Sequence, residues 1–285
     1  FGARRLVPLG PFLAALRSPN GVCAVRIGSP DPGIGSAIVA NVPGRGTSAM
    51  SDYVWCPVPV AGGPLVFVAD VDAPVLGDDD HHHLARVRRV RDGQEVVVAD
   101  GRGVWRTARM AGSTPEPVGP IHRAPHPAPE VGVAFALVKG HKPELVVQKL
   151  TELGVDRIRP FVAARSVVRW DPAKAAAHHD RWQRVAREAA MQSRRAWLPT
   201  VEPVTTFADL AGRPDACRAE PGGDPLSLHH PLVLVGPEGG WDRDELAADL
   251  PPVALGDGVL RAETAAIVAC SLLVAMRTGL VQPAG

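Results

Sequence analysis

From Leu65 onward, two kinds of hydrophobic pattern share the chain. Leu65-Val66-Phe67-Val68, Glu95-Val96-Val97-Val98-Ala99 and Val104-Trp105-Arg106-Thr107-Ala108 are rich in β-branched and aromatic residues and predict strands. Asp100-Gly101 between the last two predicts a hairpin, and the extra loop residues predict a bulge. A Pro/Gly-rich stretch from Gly112 to Pro129 reads as a linker. Beyond it, strand and helix patterns alternate. Val131 to Val138, Ile158 to Val162, Leu232 to Val235 and Val253 to Leu255 are apolar runs of strand length. Glu144 to Leu153 predicts a helix stopped by Gly154. In the next helix Trp182, Val185, Ala186, Ala189 and Ala190 recur on one face. Residues 211–231 read as a polar, Pro-rich loop. Asp242 and Glu245 resemble a capping box for a helix through Leu250, and Glu263 to Thr278 predicts a helix apolar nearly all round, closed by Gly279. Apolar strands alternating with helices imply an α/β domain whose mostly parallel sheet is covered on both faces.

Composition changes the picture at the N-terminus. The 29 glycines and 29 prolines are unevenly spread, with 10 Gly and 9 Pro in the first 64 of 285 residues. That share, about 30%, is in the range of low-complexity chain. Stretches such as Ser29 to Gly33 and Pro43 to Gly46 show neither helical nor strand periodicity. Residues 1–63 therefore read as a flexible Pro/Gly-rich extension. A small β-rich domain at 64–124 and an α/β domain at 130–282 follow.

A formal net charge of +1 excludes nucleic-acid binding by bulk charge, so any RNA contact needs a local basic patch. Arg86, Arg88, Arg89 and Arg91 supply one such strip, and Arg181, Arg184, Arg187, Arg194 and Arg195 a second along the Trp182 helix. With aromatics at 5%, a broad stacking platform is not expected. Cys23, Cys56, Cys217 and Cys270 lie far apart without a CxxC pair. That spacing offers no zinc knuckle and no disulfide framework, and it suits a reducing cytoplasm. The His81 to His83 and Asp78 to Asp80 runs lack a spaced partner ligand, so no metal is expected. The longest apolar run, Ala265 to Met276, is too short for a bilayer, and no signal segment opens the chain, so no membrane partner is expected.

Two strand–loop–helix units carry the candidate chemistry. Gly236-Pro237-Glu238-Gly239-Gly240 follows Leu234-Val235 at a strand end and precedes a capped helix. Leu255-Gly256-Asp257-Gly258-Val259-Leu260-Arg261-Ala262-Glu263-Thr264-Ala265 repeats that arrangement. In open α/β sheets ligands sit outside the carboxyl ends of the strands, where glycine lets backbone approach closely. Neither loop fits a phosphate loop or GxGxxG. Each alone is compatible with a tight structural turn, and Glu263 with a helix N-terminal acid beside Arg261.

These segments closely resemble the 16S ribosomal RNA uridine N3-methyltransferases, the ribosomal RNA small subunit methyltransferase E family of the SPOUT superfamily. Lys142, Glu144, Gln148-Lys149, Glu152 to Val155, Arg165, Gln192, Arg195 and Pro199 extend the resemblance upstream, as do His83, Arg86, Val87, Arg89, Gly93 and Asp100-Gly101. It spans roughly residues 65–280 and excludes 1–63. It implies an N-terminal PUA-like β-barrel, a trefoil-knotted methyltransferase domain, a homodimer, and 16S rRNA of the small ribosomal subunit as partner. It also implies that S-adenosyl-L-methionine is bound by Leu234, Val235, Gly236, Pro237, Glu238, Gly239, Gly240, Leu255, Gly256, Val259, Leu260, Arg261, Thr264 and Ala265. Met191 to Arg195 departs from the family's Glu-Gln-x-Gly-Arg, and Gly258 stands where the family often has Arg.

Methylation of uracil N3 is an in-line displacement and requires loss of the N3 proton. A cation favours the anionic base and a carboxylate accepts the proton. Arg165, Arg195 and Arg261 are candidates for the first role, Glu238 and Glu263 for the second. Arg86, Arg88, Arg89, Lys142, Arg194 and Arg195 are the candidate RNA contacts. Two alternatives stay open: a SPOUT enzyme acting at another rRNA or tRNA position, and a non-catalytic RNA-binding assembly factor.

Overall fold

The computed structural model describes residues 6–8, 13–17, 23–27, 63–82, 84, 89–138 and 142–281. The chain divides into two compact units, Phe1–Val54 and Trp55–Gly285. In the first, β1 (Leu6–Pro8), β2 (Leu13–Arg17) and β3 (Cys23–Ile27) form an antiparallel meander. This differs from the reading of residues 1–63 as an extension without periodic structure. Leu13–Arg17 and Cys23–Ile27 are free of glycine and proline, which an average over the whole segment concealed. The stretches at 29–33 and 43–46 lie outside the described residues.

The second unit begins with a five-stranded sheet and one short helix, α1 (Asp78–His82). Its strands are β4 (Leu65–Phe67), β5 (Glu95–Ala99), β6 (Val104–Ala111), β7 (Thr114–Pro117) and β8 (His122–Arg123), with β8 pairing β6. The expected hairpin joins β5 and β6. Asp100 Oδ1 accepts from the amides of Arg102 (2.7 Å) and Val104 (3.0 Å), closing the turn with its own side chain. Strands β7 and β8 correct the linker reading of 112–129. Pro115 and Pro117 are tolerated because β7 lies at the end of the sheet path, where a missing N–H costs no ladder bond.

The larger sheet has seven parallel strands in the described residues. They are β9 (Gly132–Ala136), β10 (Arg157–Val162), β11 (Thr200–Val201), β12 (Thr205–Thr206), β13 (Ala216–Pro225), β14 (Leu232–Val235) and β15 (Pro252–Ala254). The order is β11-β10-β9-β14-β13-β15, with β12 also on β10. Between them run α2 (Lys142–Leu153), α3 (Pro172–Gln192), α4 (Phe207–Ala211), α5 (Arg243–Ala247) and α6 (Ala262–Arg277). Strand β13 corrects the loop reading of 211–231. Its Pro and Gly residues hide a run, Ala216 to Arg218, that pairs β14 residue by residue before a bulge between Ala219 and Asp224.

Helix α2 stops where expected, at Gly154, whose φ of +108° suits glycine. Helix α3 starts at Pro172 after Asp171, whose side chain caps the Lys174 amide at 2.8 Å. Its apolar face buries Trp182, Ala186, Ala189 and Ala190, with Trp182 edge-on to Phe135 of β9. Leu150 of α2 and Leu273 of α6 are fully buried in the same core, each worth roughly 1.5–3 kcal/mol relative to exposure. Helix α5 ends at Ala247, short of the expected Leu250.

The C-terminal end of α3 joins the two sheets. Ala190, Met191 and Ala196 pack into the core of the small domain. Leu198 and Gly103 donate to the carbonyls of Gly101 (2.9 Å) and Ala196 (3.0 Å) respectively, so the hairpin tip pairs with the chain after α3. Arg187 reaches Asp80 Oδ2 at 2.6 Å and the Phe67 carbonyl at 2.8 Å.

Candidate active site

The carboxyl ends of β13, β14 and β15 open into a cavity of about 600 Å³. Its walls are Ala219, Glu220 and Pro221 from β13, Val235 to Glu238 with Gly240 and Trp241 after β14, and Leu255, Gly256 and Gly258 to Ala262 after β15, with Ala265. The volume falls within the range of small-molecule sites. The two loops expected from the sequence therefore meet in one cleft.

Close packing sets the first loop. Trp241 stacks on Phe161 at 6.2 Å with planes 9° apart, and its indole N–H donates to the Ala219 carbonyl at 3.0 Å. This pins the ring beneath Gly236, where an added Cβ would lie 2.9 Å from a ring carbon. Arg165 holds the far side, donating to the Gly239 carbonyl at 3.1 Å and pairing with Asp242 at 3.5 Å. Glu245, buried in α5, accepts the Ala164 amide with one oxygen and the Asp242 amide with the other, each at 2.8 Å. The capping box expected from Asp242 and Glu245 thus also fastens the cofactor-side loop to the end of β10.

The second loop is built differently. Among the described residues, the amides of Gly256 to Leu260 donate to no protein acceptor, so the segment offers free backbone donors along the cavity. Val259 is 88% exposed. Arg261 is the extended N-cap residue of α6 and remains exposed.

Lys142, the first residue of α2, joins both loops. Its ammonium contacts Glu238 Oε1 and lies 3.4 Å from Glu263 Oε1. The two carboxylates hold the Lys142 pKa above its usual value. In return the Lys142 contact, with a smaller contribution from Arg261, holds Glu238 below the ordinary carboxylate value. The other Glu263 oxygen, Oε2, is buried without a hydrogen-bond partner. The Lys142 ammonium and the Glu263 carboxylate thus stand together beside the loops that line the cleft.

The expected site residues do not all gather here. Val235 to Glu238, Gly240, Leu255, Gly256, Val259 to Arg261 and Ala265 line the cavity. Leu234 points instead into the opposite core with Phe161 and Trp241, since alternate strand residues face opposite ways. Thr264 is exposed and Gly239 backs onto Arg165; neither is part of the lining. Arg195 lies elsewhere, donating to the carbonyls of Thr151 (3.0 Å) and Val155 (2.9 Å). Burial pulls its guanidinium down to about 10, against the raising influence of Asp156. Arg195, expected as a catalytic or RNA-facing cation, is here turned to backbone carbonyls where α2 ends. Arg194 bonds the Gly63 carbonyl at 2.7 Å, Arg181 pairs with Glu144, and Arg187 with Asp80, so most of the second basic strip is used within the molecule. Arg89 is exposed, while Arg86 and Arg88 lie outside the described residues.

The sequence reading missed Ala219, Glu220 and Pro221, because β13 itself was not recognised. The signal was weak: the short run Ala216-Cys217-Arg218-Ala219 between Pro214 and Pro221.

Comparison with known proteins places this architecture. A family model described as an RNA methyltransferase domain matches residues 125–274, and one described as an RNA methyltransferase PUA domain matches 76–118. Ribosomal RNA small subunit methyltransferase E of Mycobacterium tuberculosis is 38% identical over 226 residues, covering 68% of this chain and 83% of the relative. The chain belongs to the ribosomal RNA small subunit methyltransferase E family. The methyltransferase E of Bacillus subtilis is 30% identical, covering 68% of this chain and 87% of its own. A crystal structure of methyltransferase E from Neisseria gonorrhoeae bound to S-adenosyl methionine superposes with TM-score 0.63 at 27% identity, covering 75% of this chain and 97% of that one. The PUA match takes in α1 and β5 to β7, and the methyltransferase match takes in β9 to β15 and most of α6.

Proposed function

We propose that this chain methylates 16S rRNA of the small ribosomal subunit at N3 of a uridine, with S-adenosylmethionine as donor. The observation that carries this reading is the cleft formed by two glycine-bearing loops, with the Lys142–Glu263 pair at its edge.

The residues present fit the donor. Trp241, Val235, Leu260 and Ala265 form an apolar wall for a flat base, and the free amides of Gly256 to Leu260 suit its polar edge. When bound, S-adenosylmethionine supplies an electrophilic methyl group on a sulfonium. Arg261 and Lys142 place positive charge where uracil must become anionic. Glu263, held 3.4 Å from the Lys142 ammonium through Oε1, takes the N3 proton. Glu238 restrains Lys142, and Arg165 positions the Gly239 carbonyl rather than touching the reacting atoms.

The finer expectations belong to the same reading. From edge strand β15 the chain returns so that α6 packs on β9 and β14, which supports a knotted C-terminus. Ile267 and Val268 of α6 stay partly exposed, which supports a second copy as partner in a homodimer. Arg86, Arg88 and Arg89 of the PUA domain supply phosphate contacts, and the cytoplasm, where ribosomes are assembled, is the compartment. Among the described residues no helix is long and apolar enough to cross a membrane.

Calorimetry with S-adenosylmethionine, followed by methyl transfer to small subunits lacking the mark, tests the reading. Mass mapping of the product to a uridine N3 is the expected result. Donor binding without transfer to those subunits overturns the substrate assignment.

A further inference from the structure

Beside the cofactor cleft, the connection from β10 to α3 builds a second concavity that the donor does not need. It has a volume of about 340 Å³, and Val138, Val167, Arg169, Trp170, Lys174 and His178 line it. Trp170 and His178 stack face to face, with centroids 4.0 Å apart and planes 4° apart. Both rest on Trp182, at 5.7 and 5.8 Å, and Trp182 is fully buried in the domain core. The pair is thus a partly exposed aromatic surface on a rigid base, so seating a ligand there immobilises little. Val167 extends the apolar area and is 72% exposed.

The charged residues that line it, Arg169 and Lys174, are both cations. Among the described residues, neither Arg169 nor Lys174 forms an ion pair; Arg169 donates to the Ala164 carbonyl at 3.2 Å. The nearby carboxylate of Asp171 is engaged in capping the Lys174 amide. Aromatic faces ringed by unpaired cations match the chemistry of single-stranded RNA, whose bases stack and whose phosphates carry the charge. Position argues the same way. Arg165, which holds the Gly239 carbonyl of the cofactor loop, precedes Trp170 by five residues, so the Cα atoms of Arg165 and Trp170 are at most about 18 Å apart. Methylation at a Watson–Crick edge atom needs an unpaired, unstacked target, which leaves its neighbours exposed and in need of a seat.

We infer that the Trp170–His178 pocket binds a nucleotide flanking the methylated one, its base against the aromatic pair and its phosphate on Arg169 and Lys174. This rests on the proposed RNA substrate. It assigns the β10–α3 connection a part in selecting the RNA, separate from donor binding.

The test compares the intact protein with Arg169→Ser/Lys174→Ser and with His178→Ala, measuring affinity for small-subunit rRNA, donor affinity and thermal stability. His178→Ala is used rather than removal of Trp170, whose loss would expose the core at Trp182. Expected are a loss of RNA affinity of about tenfold in each, with donor affinity and melting temperature unchanged. The double variant also lowers the salt slope of binding by about 1.4, as for two single-strand phosphate contacts. RNA affinity and salt slope equal to wild type in variants that still bind the donor overturn the pocket, as does wild-type protein that binds no RNA. RNA binding that these variants weaken, without methyl transfer by the wild type, supports the pocket while overturning the enzymatic reading.

Discussion

Glu245 of α5 accepts the amide of Ala164 across the top of the sheet, at 2.8 Å, from a buried position. One carboxylate thereby couples the end of β10, where Arg165 begins its reach to Gly239, to the helix that follows the first glycine-bearing loop. Glu245→Ala leaves the Ala164 and Asp242 amides without their acceptor. The expected loss is about 2–3 kcal/mol in unfolding free energy, with weaker donor binding. Denaturant unfolding and calorimetry check it, and unchanged values in both would remove this strut from the account.

Gly236 is the position where shape alone decides. A methyl group there meets the Trp241 ring, which cannot yield because it stacks on Phe161 and donates to Ala219. Gly236→Ala is expected to weaken S-adenosylmethionine binding by about tenfold or more. A titration of the purified variant decides the point.

Glu263 and Glu238 both contact Lys142 but have different expected roles. Glu263→Gln should lower kcat by about 100-fold or more with donor affinity kept, as expected for loss of a general base. Glu238→Gln should cost much less. The Lys142–Glu238 contact also has a pH sign. Because the Glu238 pKa is lowered in the folded protein, the contact is present at neutral pH and is lost as pH falls through that lowered value. Single-turnover rates for the two variants separate the roles, and equal losses in both would deny Glu263 the proton.

Arg195 is expected to act through stability. Arg195→Met leaves the Val155 carbonyl unpaired and removes one of two donors from the Thr151 carbonyl, at a cost of about 1–3 kcal/mol, while the folded fraction keeps its turnover at low temperature. A folded variant with unchanged stability but lost turnover would return Arg195 to the reaction.

Cys217 and Cys270 are buried, and burial pushes both thiols up to about 12. At pH 8 in the native state neither should be alkylated, and both should react on unfolding. Peptide mapping after a short alkylation pulse checks this.

Local signals proved readable where one rule governed one stretch. Gly154, Asp242 with Glu245, Asp100-Gly101 and the Trp182 face each stand where chain order alone places them. Strands β7 and β13 were hidden by their prolines and glycines, since a sheet end or a bulge tolerates residues that propensity counts against a strand, and β8 is only two residues long. The arginines of α3 show the same limit in the site. Their spacing indicates a basic face, but Arg187 and Arg194 face the small domain and Arg195 the end of α2.

The amino-acid order by itself determined the alternation of strands and helices, the two glycine-bearing loops and, through them, the family resemblance, because each is written in contiguous residues. Tertiary structure alone decided that Lys142 stands between Glu238 and Glu263, that β13 lends Ala219 to Pro221 to the cleft, and that Trp170 meets His178. Those partners come from separate segments, and contacts between them are set by sheet order and helix packing, which no local pattern encodes.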